Sequence, residues 1–155
     1  MEGKYTALGV SNYIVNYANA NGKIITNLQL QKILYYLQGY FLAMKDEKLF
    51  EDRVIAWQFG PVVPEVYYEF SIFGSSAIDI KYVMLEETSI DIKDRTCINS
   101  IIDLKLDMNV WDLVQETHDE DPWIRATKNG LYTNGEITED MMKNYFMYNP
   151  NKFGM

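Results

Sequence analysis

The chain has 155 residues, 48% of them hydrophobic, with a formal net charge of −8, one cysteine and one histidine. That length and apolar content suit one folded domain with a sizeable core, and they exclude a disordered chain. A lone cysteine excludes an internal disulfide, and the acidic balance disfavours direct nucleic-acid binding.

The first residues, MEGKYTALGV, lack a basic segment followed by an apolar one. No apolar stretch approaches the ~20 residues that span a bilayer. The expectation is a cytoplasmic protein without membrane contact. Val10, Tyr13, Ile14 and Tyr17 fall at helical spacing and predict a helix from about Leu8 to Ala20, stopped by Asn21-Gly22. Thr26 followed by Gln29 forms a capping box for a second helix. Leu30, Ile33, Leu34, Leu37 and Phe41 mark its core face, while Tyr35 and Gln38 fall near the opposite side. An exposed Tyr35 there would offer a docking surface. The charges at Lys45, Asp46 and Glu47 are expected to end this helix.

Val54–Trp57 reads as a short strand, and Gly60-Pro61 punctuates the chain after it. Pro64 suits the first position of a helix that carries Val66, Tyr67 and Phe70 and ends before Gly74. Ile78, Ile80, Tyr82 and Met84 alternate with other residues, which suggests a strand able to pair with Val54–Trp57. A long helix is expected after Asp91, with Ile98, Ile101 and Ile102 at core spacing. A shorter one is expected from about Asn109 to Thr117, with Trp111, Leu113 and Val114 inward. Pro122 breaks the chain a few residues beyond it. Thr138 caps a last helix bearing Met141, Met142, Tyr145 and Phe146, and the chain from Asn149 onward looks frayed.

The sum is a mainly α, compact helical domain of about five to six helices with a small two-stranded β element. Residues 1–148 form a single domain and residues 149–155 a short C-terminal tail.

Few residues suggest chemistry. There is no phosphate-binding GxxxxGK[ST] loop, no GxGxxG after a strand and no GxSxG elbow. One histidine, His118, and one cysteine, Cys97, do not make a zinc ligand set. Neither a metal nor a cofactor is expected. Cys97 reads as a small apolar residue on a helix face. His118 has acidic neighbours that would orient a general base, but no nucleophile pairs with it in the sequence. It reads instead as a structural residue at a helix C-terminus. The chain is therefore expected not to be an enzyme, with a His118-centred activity as the one alternative.

Four segments carry a resemblance. They are residues 27–43 (NLQLQKILYYLQGYFLA), 49–70 (LFEDRVIAWQFGPVVPEVYYEF), 117–123 (THDEDPW) and 137–146 (ITEDMMKNYF). In this order and spacing the chain resembles the SocA/GepA-like family, also called the Panacea domain. Its most specific positions are Leu30, Gln31 and Lys32; Trp57, Gly60, Pro61, Val62 and Tyr67; and Thr117, His118, Pro122 and Trp123. The resemblance implies an antitoxin or phage-associated protein that neutralises a toxin or other effector by stoichiometric binding. The alternative it implies is an adaptor or regulatory module that links a target to a protease or other machinery. The implied partner is another protein, encoded nearby, with no direct nucleic acid and no membrane; a homodimer stays open.

For the motif residues, fold maintenance is expected ahead of direct partner contact. Gly60 and Pro61 are expected to set a turn that aims Trp57 and Tyr67, with Trp57 half-buried and its indole donor satisfied. Pro122 and Trp123 are expected to cap the shorter helix against the second helix, with His118 hydrogen-bonding across that junction. No Lys or Arg occurs between Lys105 and Arg125, while Asp107, Asp112, Glu116, Asp119, Glu120 and Asp121 do. These acids are candidates for steering a basic partner.

Overall fold

The computed structural model describes residues 2–83 and 89–155. It is mainly α, with a small β element. Among the described residues there are eight α-helices, two 3-10 turns and three short strands.

The hub is α2, Asn27–Met44. Its start is determined locally: Thr26 accepts from the Gln29 backbone, and the Gln29 side chain accepts from the Thr26 backbone. Around it pack α1 (Ala7–Ala20), α5 (Ile92–Leu106), α6 (Val110–His118) and α8 (Glu139–Met147). A helix surrounded in this way is buried on every side, and this overturns the expectation of an outward face bearing Tyr35 and Gln38. Tyr35 is 0% exposed and Gln38 2% exposed. Their polar groups are satisfied from other elements. Tyr35 donates to Glu120 at 2.9 Å, and Gln38 donates to the Phe50 carbonyl and accepts from the Leu49 and Phe50 backbone. Helix α8 approaches closely because residue 39 is glycine; a Cβ there would lie 2.3 Å from Phe146 Cδ2.

A three-stranded antiparallel sheet covers one end, in the order β2-β1-β3. β1 is Val54–Trp57, β2 Gly60–Val62 and β3 Gly135–Ile137. The register sets Trp57 opposite Gly60 and Ala56 opposite Pro61 on one side of β1, and Val54 opposite Ile137 on the other. Pro61 lacks an N–H, which an edge strand tolerates. The strand expected around residues 78–84 is not this partner. Ile80–Val83 forms a helical turn, α4, and Met84 lies outside the described residues. The nearest β contact there is an isolated bridge between Thr26 and Ala77.

Pro64 occupies the first turn of α3 (Pro64–Glu69), as its fixed φ favours, and the 3-10 turn Ser71–Phe73 comes after it. Pro122 does the same for α7 (Asp121–Ala126), so it both ends one helix path and begins another. Asn109 caps α6 by accepting from the Trp111 backbone, and Thr138 caps α8 by accepting from the Met141 backbone. On α6, Leu113 and Val114 are buried as expected, but Trp111 is 58% exposed. The chain end is not frayed. Pro150–Phe153 forms a 3-10 turn whose Phe153 is buried against Tyr40 and Phe146 at centroid distances of 5.2 and 5.0 Å. No helix among the described residues is long and apolar enough to cross a membrane.

Candidate functional site

The motif residues converge where the β1–β2 hairpin crosses the N-terminal half of α2 and the C-terminal end of α6. Leu30 and Gln31 belong to the scaffold beneath. Leu30 is core, and Gln31 donates to Asn27 at 2.9 Å while accepting from the Val63 backbone at 2.8 Å. That second bond ties β2 to α2 just where the chain turns into α3.

Lys32 is the unexpected member. It points under the hairpin, is 0% exposed, and donates to the Pro61 carbonyl at 2.9 Å. Desolvation pushes its amine down to about 7. Gly60 makes the room for it. At φ +114 this residue is in a conformation few side chains tolerate, and a Cβ on it would lie 2.6 Å from Lys32 Cε and 2.7 Å from Thr117 Oγ1. Thr117 is itself buried and donates to the Val114 carbonyl at 2.8 Å.

Above Lys32 lies a groove of about 380 Å³, walled by Trp57, Phe59, Val62 and Tyr67 and edged by Asn27 and Gln58. Trp57 is half-buried and meets Tyr67 edge-on at 5.1 Å, so the hairpin and α3 do aim these two rings at each other. The aromatic surface continues on both sides. Tyr68, 64% exposed, lies 6.0 Å from Trp57, and exposed Phe59 packs edge-on against exposed Trp111 at 5.8 Å. A larger hollow of about 500 Å³ lies beside Asp52, Arg53 and Glu65, but none of the motif residues lines it.

On the far side of the hairpin, His118 ends α6 and stacks on Trp123 with ring centroids 4.1 Å apart. The hydrogen bond across this junction is donated by the Trp123 indole to the Trp57 carbonyl, at 2.9 Å. The satisfied indole is thus that of Trp123; no hydrogen bond from the Trp57 indole occurs among the described residues. His118 also bonds the Gln58 backbone, which opposes the fall in its pKa that burial causes. Its Nε2 is buried without a partner among the described residues. Pro122 is buried beside this stack.

The six acids separate into two groups. Asp107, Asp112, Asp119 and Asp121 are exposed. Asp107 is paired with Lys23, and Asp121 lies 3.7 Å from Arg125. Asp112 comes directly after the exposed Trp111. Glu116 and Glu120 face inward, which corrects their reading as steering charges. Glu116 pairs with Lys105 at 3.0 Å and Lys152 at 3.6 Å. Glu120, 0% exposed, accepts from Tyr35 and Tyr36 and lies 3.4 Å from Lys152. Burial raises its carboxyl to about 7, with the Tyr36 hydrogen bond and Lys152 opposing the rise. No sequence signal separated this glutamate from its neighbours, since only the fold brings two tyrosines of α2 to the start of α7.

Cys97 is partly buried and donates to the Asp94 carbonyl at 3.2 Å, and burial raises its thiol. No group of His, Cys, Asp and Glu among the described residues is arranged to hold a metal ion.

No solved structure matches the chain. Antitoxin SocA of Caulobacter vibrioides (strain NA1000 / CB15N) is 43% identical over 72 residues, 46% of this chain and 38% of that protein. The match thus spans well under two thirds of that relative's length. The model of the family described as "Antitoxin SocA-like, Panacea domain" matches residues 30–124, a span running from the start of the buried α2 motif to just past Trp123. All the motif residues gathered around Lys32 and the His118–Trp123 stack lie inside it, and the chain belongs to the SocA-like antitoxin family.

Proposed function

We propose that this protein is an antitoxin that neutralises a partner toxin by direct, stoichiometric binding, and that the aromatic face around Trp57 is where the partner docks. Membership of the SocA-like family supports the antitoxin role. The observation that carries the location is the run of partly exposed or exposed aromatic rings, Trp111, Phe59, Trp57, Tyr67 and Tyr68, all within the span that matches the family and four of them in the motif segment 49–70. Exposed aromatics grouped in this way are the composition of interface hot spots. Asp112 beside this face, with Asp119 and Asp121, supplies a negative field for a basic partner. The protein acts in the cytoplasm, without a cofactor and without turnover, and its partner is encoded nearby.

The test is co-expression with the protein of the neighbouring gene. The neighbour alone should arrest growth; this protein should restore growth and co-purify with it at one-to-one stoichiometry. Replacing Phe59 and Trp111 together by Ser should abolish rescue while leaving the thermal unfolding midpoint within a few degrees. A harmless neighbour that does not co-purify would refute the toxin pairing, and rescue by the double variant would refute the docking face.

A further inference from the structure

The groove over Lys32 has the make-up of a receptor for one kind of chemical group. Lysine is almost never fully buried without compensation. The other deeply buried lysine of this protein shows what compensation looks like: Lys105, 2% exposed, has Glu116 at 3.0 Å and the Tyr36 ring beneath its ammonium at 3.9 Å. Lys32 has neither. Among the described residues its one hydrogen bond is to the Pro61 carbonyl, and no carboxylate lies within ion-pair distance. An ammonium has three N–H donors, so two of them lack a protein acceptor. Burial that pushes this amine down to about 7 has the same origin.

The groove above contains no acidic residue and no second cation; its walls are aromatic and aliphatic. Its volume of about 380 Å³ suits an inserted side chain rather than an extended peptide. Lys32 is the single charged residue that lines it. Charge complementarity therefore favours an anion, even though the protein as a whole is strongly acidic.

We propose that this groove captures a carboxylate of the partner protein, an acidic side chain or chain terminus next to an apolar residue, with the apolar part between Trp57 and Tyr67 and the carboxylate on Lys32. This rests on the docking face proposed above and names the chemistry it recognises. Lys32 lines the groove but is 0% exposed, so capture includes a rotation about its terminal bonds that turns the amine from the Pro61 carbonyl toward the carboxylate. Exposed Asp112, next in the chain to Trp111, and the cation at the floor then read opposite charges on one partner, which gives register as well as attraction.

The experiment uses the full chain, Lys32→Met, and two small probes of equal shape, 3-phenylpropionate and 3-phenylpropionamide. Binding is followed by NMR through the Trp57 indole and the Gln58 and Phe59 amides. The acid should bind at least tenfold more tightly than the amide, and the preference should vanish in Lys32→Met. The same variant should bind the neighbour-encoded toxin at least tenfold more weakly. Equal binding of acid and amide, or a preference that survives Lys32→Met, overturns the proposal. So does an acid preference with undiminished toxin binding by Lys32→Met, since the occupant is then a free small carboxylate. In each of these cases rescue by the unaltered protein still stands, so failure of this inference is separable from failure of the antitoxin reading.

Discussion

Lys32→Met should stabilise the protein, an unusual outcome for a substitution in the interior. The amine titrates near 10.5 when exposed and is pushed down to about 7 by burial. Each pH unit of that difference corresponds to about 1.4 kcal/mol, so keeping Lys32 charged in the fold costs up to about 5 kcal/mol below pH 7. Methionine fills nearly the same volume without that cost. Against the gain stands the Pro61 carbonyl, left without its donor, which costs about 1–2 kcal/mol. The net expectation at pH 6 is about 3 kcal/mol of added stability. For a chain of this size that raises the unfolding midpoint by about 6–12 °C. The sign of the pH dependence is fixed by the direction of the shift. Between about 7 and 10.5 the unfolded chain holds a proton that the folded chain has released, so the stability of the unaltered protein rises with pH across that window. Burial, with the nearby Lys32 charge, holds His118 below its ordinary 6.5, so it is neutral throughout the window. The gap between variant and unaltered protein should therefore narrow steadily from about pH 7 to about pH 9.5. Urea unfolding followed by tryptophan emission, at about pH 6 and about pH 9.5, measures both quantities. A variant that is less stable at the lower pH, or a gap that does not change with pH, would refute the reasoning.

Three further outcomes are expected. Gly60→Ala should destabilise by about 2–4 kcal/mol, from an unfavourable φ together with collisions against Lys32 and Thr117; chemical unfolding checks it, and Lys32→Ala in the same chain should relieve part of the loss. Phe153→Ala should cost about 3–4 kcal/mol, because its ring is buried against Tyr40 and Phe146; a change below about 1 kcal/mol would show that the C-terminal turn is not part of the core. Glu120, held near 7 against an ordinary 4.5, binds a proton in the fold that the unfolded chain has released, so it should make stability fall between pH 4.5 and 7 by about 2–3 kcal/mol, and Glu120→Gln should flatten that slope in a pH series of unfolding midpoints.

The parts of the fold that were legible in the sequence are those decided within a few residues. The Thr26–Gln29 capping box, Pro64 at the start of α3, and Thr138 as a cap are local chemistry, and each of these elements begins where that chemistry puts it. Amphipathic periodicity, by contrast, assumes that a helix has an outside. α2 has none, so Tyr35 and Gln38 were misplaced: a polar group can be core when a distant residue answers it, and Glu120 and the Phe50 backbone do so from far along the chain. β3 was invisible because Gly135-Glu136-Ile137 is too short to show alternation and owes its form to β1. At the site, the motif residues were visible as motifs, but their chemistry was not. That Lys32 lacks a carboxylate is a statement about three-dimensional neighbours. So is the division of six similar acids into exposed and buried ones.

The strand order also bears on when the proposed docking face could form during synthesis. β1 sits in the middle of its sheet, and its second neighbour, β3, is made from Gly135–Ile137. The Trp57 carbonyl is held by Trp123, and α8, which comes after β3, closes over α2. A nascent chain that has released every aromatic ring of the groove still has one edge of β1 bare and the hub helix uncovered. If the face around Trp57 is the docking face proposed above, recognition of the partner should be deferred until β3 and α8 have left the ribosome, and a chain truncated before that point should carry every aromatic of the groove without the elements that hold them in place.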